Sequence, residues 1–168
     1  MIGEVMRAGL LDADVVARLQ LDLWQQAYAE LLPPAVLATP LETLFDRWTA
    51  RIAGGGPVLV AMEGGTPVGL AALSALPVMG VGEIEVFGVL PRFARRGHGG
   101  RMLAEAATQL RDTGAHGGRW WAPEEDRTIE RFLASAGWQP EGRRRVLDTG
   151  TGRFAEVAYS GGLDLVAV

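Results

Sequence analysis

The sequence predicts a mixed α/β fold in one domain spanning residues 1–168, with a central mixed sheet of about six to seven strands flanked by about four helices. Two observations carry this expectation. Short apolar runs of strand character alternate with longer stretches whose apolar residues recur at helical spacing, and glycine or proline punctuates nearly every boundary. The chain has 168 residues, 48% of them hydrophobic, a size at which a single core buries most of the unfolded chain's surface.

Ile2 to Arg7 alternate weakly and predict a first strand. From Asp12 or Asp14, either able to cap, a helical pattern runs through Leu19, Leu23, Ala27 and Leu31 until Pro33–Pro34 stops it. Leu41 to Ile52 form a second helix after Pro40, which the first helical turn tolerates. Gly54–Gly55–Gly56–Pro57 breaks the chain, and Val58–Met62 and Val68–Leu73 then flank Glu63–Gly64–Gly65–Thr66–Pro67 as a hairpin. Gly82 to Val89 is a third strand, with Ile84 and Val86 on one face and Glu83, Glu85 and Phe87 on the other. A glycine-rich turn follows Pro91 and leads into a helix whose stripe is Leu103, Ala106, Ala107 and Leu110, stopped near Gly114. Arg119 to Ala122 is a short strand. A last helix from about Asp126 carries Ile129, Phe132, Leu133 and Ala136 and ends at Gly137. Gly142 to Tyr159 read as two strands around Thr149–Gly150–Thr151–Gly152. The resulting order is β-α-α-β-β-β-α-β-α-β-β, without an internal repeat or long linker.

Composition removes several chemistries. The net charge of −4 gives no electrostatic reason to bind nucleic acid. Cysteine is absent, which excludes disulfides, a thiolate nucleophile and Cys-based metal sites. Lysine is absent too, so all 16 basic residues are arginine; a phosphate-loop lysine, a Schiff-base lysine and a Ser–Lys dyad are excluded. His98 and His116 lack metal-ligand spacing with each other or with a carboxylate, so no metal is expected. With no basic leader and no apolar run long enough to span a bilayer, the expectation is a soluble, cytoplasmic protein that does not engage membranes.

The stretch from Glu83 to Gln109 carries the chemistry. A helix start leaves backbone N–H groups without intrahelical partners, and glycines let a ligand approach them. Here Arg95–Arg96–Gly97–His98–Gly99–Gly100 opens such a helix, and Arg95 and Arg96 add two fixed positive charges. A pyrophosphate suits this combination. The dinucleotide fingerprint fails, because Met102 stands where its third glycine belongs, and the nucleotide loop fails for want of lysine. The plainer reading is a glycine-rich connection with solvated arginines.

Val89–Leu90–Pro91 followed by Arg95–Arg96–Gly97–His98–Gly99–Gly100–Arg101–Met102–Leu103 resembles the signature of the GCN5-related N-acetyltransferases, GNAT for short. Trp24–Gln25–Gln26–Ala27–Tyr28 and Phe132–Leu133–Ala134–Ser135–Ala136–Gly137–Trp138 extend the resemblance in order and spacing over essentially the whole chain. It implies the GNAT-like fold and transfer of acetyl from acetyl-CoA, a cosubstrate, to an amine by direct attack, without a covalent enzyme intermediate. It further implies that backbone groups of Phe87, Gly88 and Val89 pair with the pantetheine arm, and that the amides from Arg96 to Gly100, His98 included, hold the pyrophosphate, with Arg95 alongside. A small-molecule or peptide amine is the implied partner, and dimerisation, common in the family, is left open.

Three positions depart from the family pattern. Ala94 replaces the usual Gln or Arg, with Arg95 or Arg96 compensating. Asp126 replaces an asparagine; it can cap the last helix but repels a phosphate. Leu133 stands where many members place the tyrosine that protonates the leaving thiolate, and its place on the apolar stripe reads as a core or cleft-lining leucine. Tyr28 and Tyr159 are the remaining tyrosines, and Tyr28 is the candidate acid. Glu83 matches the general base of the histone acetyltransferase branch, with Glu85 the alternative; the ordinary reading of both is a solvated strand face. Trp24, Trp120 and Trp121 read as packing residues, and Arg143–Arg144–Arg145 as a solvated hairpin edge. These departures keep a second expectation open: a CoA-binding regulatory or non-catalytic module that has lost turnover.

Overall fold

The computed structural model describes residues 3–148 and 153–165. Seven strands form one sheet in the order β1-β2-β3-β4-β5-β7-β6. They are β1 (Gly3–Arg7), β2 (Val58–Glu63), β3 (Thr66–Leu73), β4 (Val81–Val89), β5 (Gly117–Pro123), β6 (Gln139–Asp148) and β7 (Arg153–Gly161). The helices are α1 (Ala13–Ala27), the short α2 (Pro34–Leu37), α3 (Leu41–Ala53), α4 (His98–Asp112) and α5 (Arg127–Ser135). Every strand pair is antiparallel except β4 and β5, which run parallel across the α4 crossover. No helix among the described residues is long and apolar enough to cross a membrane.

The sheet is apolar on both faces because each face carries its own helical layer. Leu59, Ala61, Val68, Ile84 and Trp120 pack with Met102, Leu103, Leu110 and Leu133 of α4 and α5. Val58, Val60, Leu70 and Ala72 pack with Val16, Leu19, Leu23, Leu44 and Trp48 of α1 and α3. Adjacent residues of β2 therefore serve opposite cores, which explains why that strand reads as a continuous apolar run. The Trp48 indole N–H donates to Gln20 Oε1 at 2.7 Å and ties α3 to α1.

Local signals fix several ends as the sequence predicts. Gly64 and Gly65, with φ of 54° and 82°, close the β2–β3 hairpin. At the end of α5 Gly137 takes φ 81°; its N–H donates to the Ala134 carbonyl and that of Trp138 to Leu133, the two-bond ending that a left-handed residue permits. The two C-terminal strands form as expected, while the turn around Thr149–Gly152 lies outside the described residues, as does Ile2.

Two expectations change. The first helix ends at Ala27 rather than Leu31: Tyr28 leaves helical geometry at φ −122°, and the Leu31 and Leu32 amides both turn back to its carbonyl. Leu32 precedes Pro33, whose ring disfavours the helical conformation in the residue before it. Along β4 the faces also differ. Ala72 pairs with Val86 and Leu73 with Ile84, so Glu85 is an extra residue, a β-bulge. The bulge resets the alternation: Ile84 and Phe87 share the α4–α5 core, while Val86 packs against the α1–α3 core.

Candidate functional site

The sheet forks beside the bulge. The parallel pairing of β4 with β5 runs only from Val81↔Gly117 to Ile84↔Trp120. Beyond it β4 stays paired with β3, and β5 with β7. The stretch of β4 from Phe87 to Val89 thus presents one edge of backbone donors and acceptors to a cleft instead of to a strand. An extended ligand carrying amide groups can pair with such an edge.

The cleft has a volume of about 730 Å³ and is lined by Phe87, Gly88 and Val89, by the end of α1 (Gln26, Ala27, Tyr28), by the turn before α4, and by Asp126, Thr128, Ile129, Arg131 and Phe132 of the α5 region. An aromatic cluster walls the fork, with ring centres of Phe87 and Trp120 4.3 Å apart and those of Phe87 and Phe132 5.8 Å apart. Its inner end is therefore apolar.

The outer end is built for an anion. Gly97 caps α4 with φ 86° and provides no side-chain cap, and no acidic residue occupies the first turn. The first amides of α4 thus lack intrahelical acceptors at the positive end of the helix dipole. Arg95, Gly97, His98, Gly99 and Gly100 all line this end. Arg95 takes φ 61°, unusual for a residue with a Cβ, and pairs with no carboxylate among the described residues. Arg96 behaves differently: it lies outside the cleft lining, its Nη1 donates to Glu63 Oε2 at 2.8 Å, and it covers the Phe93 ring at 5.3 Å. Of the two arginines expected beside these amides, Arg95 alone lines the cleft, while Arg96 pairs with Glu63. His98 contributes its helix-start backbone, for its imidazole is buried against Glu63 and Arg101.

Tyr28 reaches the cleft. Burial first, then the nearby Asp126 carboxylate, push its acidity well below that of a free phenol. Asp126 also accepts the Ile129 N–H at 3.1 Å, which caps α5 as the sequence suggested. Tyr159 is buried in the α4–α5 core, away from the cleft.

Glu83 is not among the cleft-lining residues. It alternates with Ile84, so its carboxylate lies on the opposite side of the sheet from the aromatic cluster, where Arg119 Nη1 donates to it at 3.4 Å. Arg119 in turn donates from Nε to Glu141 at 2.6 Å. Glu85 is ion-paired with Arg51 of α3. Both carboxylates flank the fork from the α1–α3 face. Leu133 is fully buried, and it is Phe132 that faces the cleft; both sit on one apolar stripe, and the sequence held no signal to separate them. Arg131, Thr128 and Phe93 were missed for the same reason, each being an ordinary helix or turn residue.

The family model described as the acetyltransferase (GNAT) family matches residues 20–138, more than half of the chain. No curated protein matches it. Among solved structures, the paiA N-acetyltransferase from Thermoplasma acidophilum in complex with coenzyme A superposes with a TM-score of 0.75 at 15% identity, covering 96% of this chain and 99% of that one. A GCN5-related N-acetyltransferase from Rhodopseudomonas palustris gives 0.78 at 18% identity, with 96% of each chain covered. The yncA structure from Salmonella typhimurium, with acetyl-CoA, gives 0.71 at 17%, covering 99% of this chain and 96% of that one. At these identities the likeness is one of fold.

Proposed function

The chain belongs to the acetyltransferase (GNAT) family, and from that premise we propose that it transfers acetyl from acetyl-CoA to an amine in a ternary complex. The observation that carries the reading is the continuity of one cleft. It joins an unpaired β4 edge, Phe87 to Val89, to the open helix start at Gly97–Gly100. The edge suits the amides of pantetheine, and the helix start with Arg95 suits the pyrophosphate. The site residues fit this cosubstrate, whose thioester supplies the activated acyl carbon.

On this reading the thioester lies in the fork, and the amine approaches from the α1–α3 face. A neutral amine nitrogen attacks the carbonyl carbon, the C–N bond forms, and the oxygen takes up negative charge. A backbone N–H of the β4 edge at the bulge stabilises it. Collapse breaks the C–S bond and expels the CoA thiolate. Before attack the acceptor's ammonium gives one proton to Glu83, which Arg119 hydrogen-bonds, directly or through water; after attack the nitrogen's surplus proton passes to the departing thiolate or to water. Tyr28 lines the cleft, but burial and the nearby Asp126 charge make it a poor proton source. A thiolate is a good leaving group, so no dedicated acid is required.

That Glu83 is already engaged by Arg119, and that burial and the nearby Asp126 charge make Tyr28 a poor acid, supports a second reading: a CoA-binding module without turnover. Calorimetric titration with CoA followed by an amine screen for free CoA release separates the two. Micromolar binding, about −8 kcal/mol, with release in wild type and little in Glu83→Gln, is the expected result. Binding without release from any amine favours the module, and a folded protein that binds no CoA refutes both.

A further inference from the structure

The anion-binding turn is conformationally costly. Arg95 takes φ 61°, which costs a residue with a Cβ, two residues before Gly97, whose φ of 86° only glycine adopts freely. The turn's own backbone bonds are few: Ala94 N–H to the Pro91 carbonyl before it, and Arg101 N–H to the Gly97 carbonyl after it. Unfavourable backbone of this kind persists only where the surroundings over-determine it.

A closed ring of side chains supplies that determination from outside the cleft. Glu63, at the end of β2, accepts from Arg96 Nη1 through Oε2 at 2.8 Å and meets His98 Nε2 through Oε1 at 3.1 Å. His98 Nδ1 lies 3.2 Å from Arg101 Nη2, and the same Nη2 donates to the Arg96 carbonyl at 3.2 Å. A guanidinium can only donate, so His98 Nδ1 accepts, and Nε2 carries the proton and donates to Glu63. Both imidazole nitrogens are thereby engaged. The ring encircles Gly97, where a Cβ would come within 2.8 Å of Arg101 Nη1. At its back β1 has Gly3, where a Cβ would collide with Arg101 and stand 2.8 Å from His98 Cε1. Hydrogen bonding to His98, with Arg96 assisting, keeps the Glu63 carboxyl below the usual carboxylate range, so it is ionised at neutral pH.

We infer that Glu63, which lines no part of the cleft, is a positioning residue for cosubstrate binding: through Arg96 and His98 it holds the Arg96–Gly100 amides in the arrangement that a diphosphate needs. The inference rests on the CoA reading above. It assigns Arg96 a role through its partner in the ring, and it explains why a histidine inside a phosphate-binding turn is buried.

The experiment measures CoA affinity by calorimetry together with amide exchange in the CoA-free protein. It compares wild type, Glu63→Ala, Glu63→Gln and, as a control at the far end of the same helix, Arg111→Ala. Glu63→Ala should weaken CoA binding about tenfold, or roughly 1.4 kcal/mol, with Glu63→Gln in between because its amide keeps an acceptor for one partner. Arg111→Ala should bind as wild type does. Exchange should quicken in the turn while Phe87–Val89 of β4 keep their protection. If Glu63→Ala fails to fold, Glu63→Gln is read in its place. CoA affinity within about twofold of wild type, or protection lost equally in the turn and in β4, overturns the inference and leaves the CoA reading standing. Wild type that binds no CoA overturns the CoA reading itself.

Discussion

Arg95 is held in backbone geometry that disfavours it, in the place where its charge is of most use, and the two effects can be separated by substitution. A residue with a Cβ in the left-handed region costs about 1–2 kcal/mol relative to the right-handed one, and asparagine tolerates that region better than alanine or arginine. Arg95 takes φ 61°, is exposed, and pairs with no carboxylate among the described residues. Arg95→Asn and Arg95→Ala both remove the guanidinium, and only the first relieves the backbone. We expect the asparagine variant to be more stable than the alanine variant by about 0.5–1 kcal/mol, a melting-temperature difference of roughly 1–4 °C at this chain length. Both should lose a charge-assisted contact to the cosubstrate. Such a bond is worth about 1.5–3 kcal/mol, and exposure places Arg95 at the lower end, so CoA affinity should fall about tenfold in each variant. The difference from wild type should shrink as salt rises, since the Debye length falls from about 10 Å at 0.1 M to about 3 Å at 1 M. Differential scanning calorimetry and isothermal titration read the two quantities independently. Equal stability of the two variants would refute the strain argument, and wild-type CoA affinity in both would refute the charge argument.

Gly97→Ala combines φ 86° with a Cβ 2.8 Å from Arg101 Nη1; it should cost about 1–3 kcal/mol of stability and abolish measurable CoA binding, checked by chemical denaturation and titration. Leu133→Tyr forces a larger, polar side chain into a fully buried position and should destabilise by about 1–3 kcal/mol without adding an acid, whereas Phe132→Tyr should be tolerated and place a hydroxyl in the cleft; thermal melts of both variants test this. For Tyr28 the sign follows from a raised pKa: its contribution to stability is full below the phenol's unfolded value, about 10, and is lost as pH rises above it. Tyr28→Phe should therefore lose less stability than wild type between about pH 9 and 11, measured by urea denaturation across that range.

Much of the site was legible because its signals are local. The amides at a helix start, the left-handed glycine that lets the chain turn into it, and the arginine beside them occupy one stretch, Arg95 to Gly100. Asp126 three residues before Ile129 announces its cap, and Gly137 its stop. The GNAT family and its mixed α/β sheet followed from such stretches taken in order. What sequence reasoning misplaced depended on partners far along the chain. Nothing near Glu85 marks it as a bulge, since a bulge exists only in the register between two strands, and without it Ile84 and Val86 seemed to share a face. Arg96 and Arg95 are identical neighbours in the sequence; only the approach of Glu63 from β2 makes one a structural brace and leaves the other to the cleft.

By itself, then, the sequence determined the strands, the main helices, their order and the glycine-rich start of α4, because caps, turn glycines and apolar periodicity act over a few residues and need no tertiary partner. Only the tertiary structure decided the fork between β4 and β5, the burial of Leu133 in place of Phe132, and the pairing of Glu83 with Arg119. Each is a choice between faces or partners that local chemistry leaves degenerate. It is resolved when strands distant in sequence fix their register and two helical layers compete to bury the sheet.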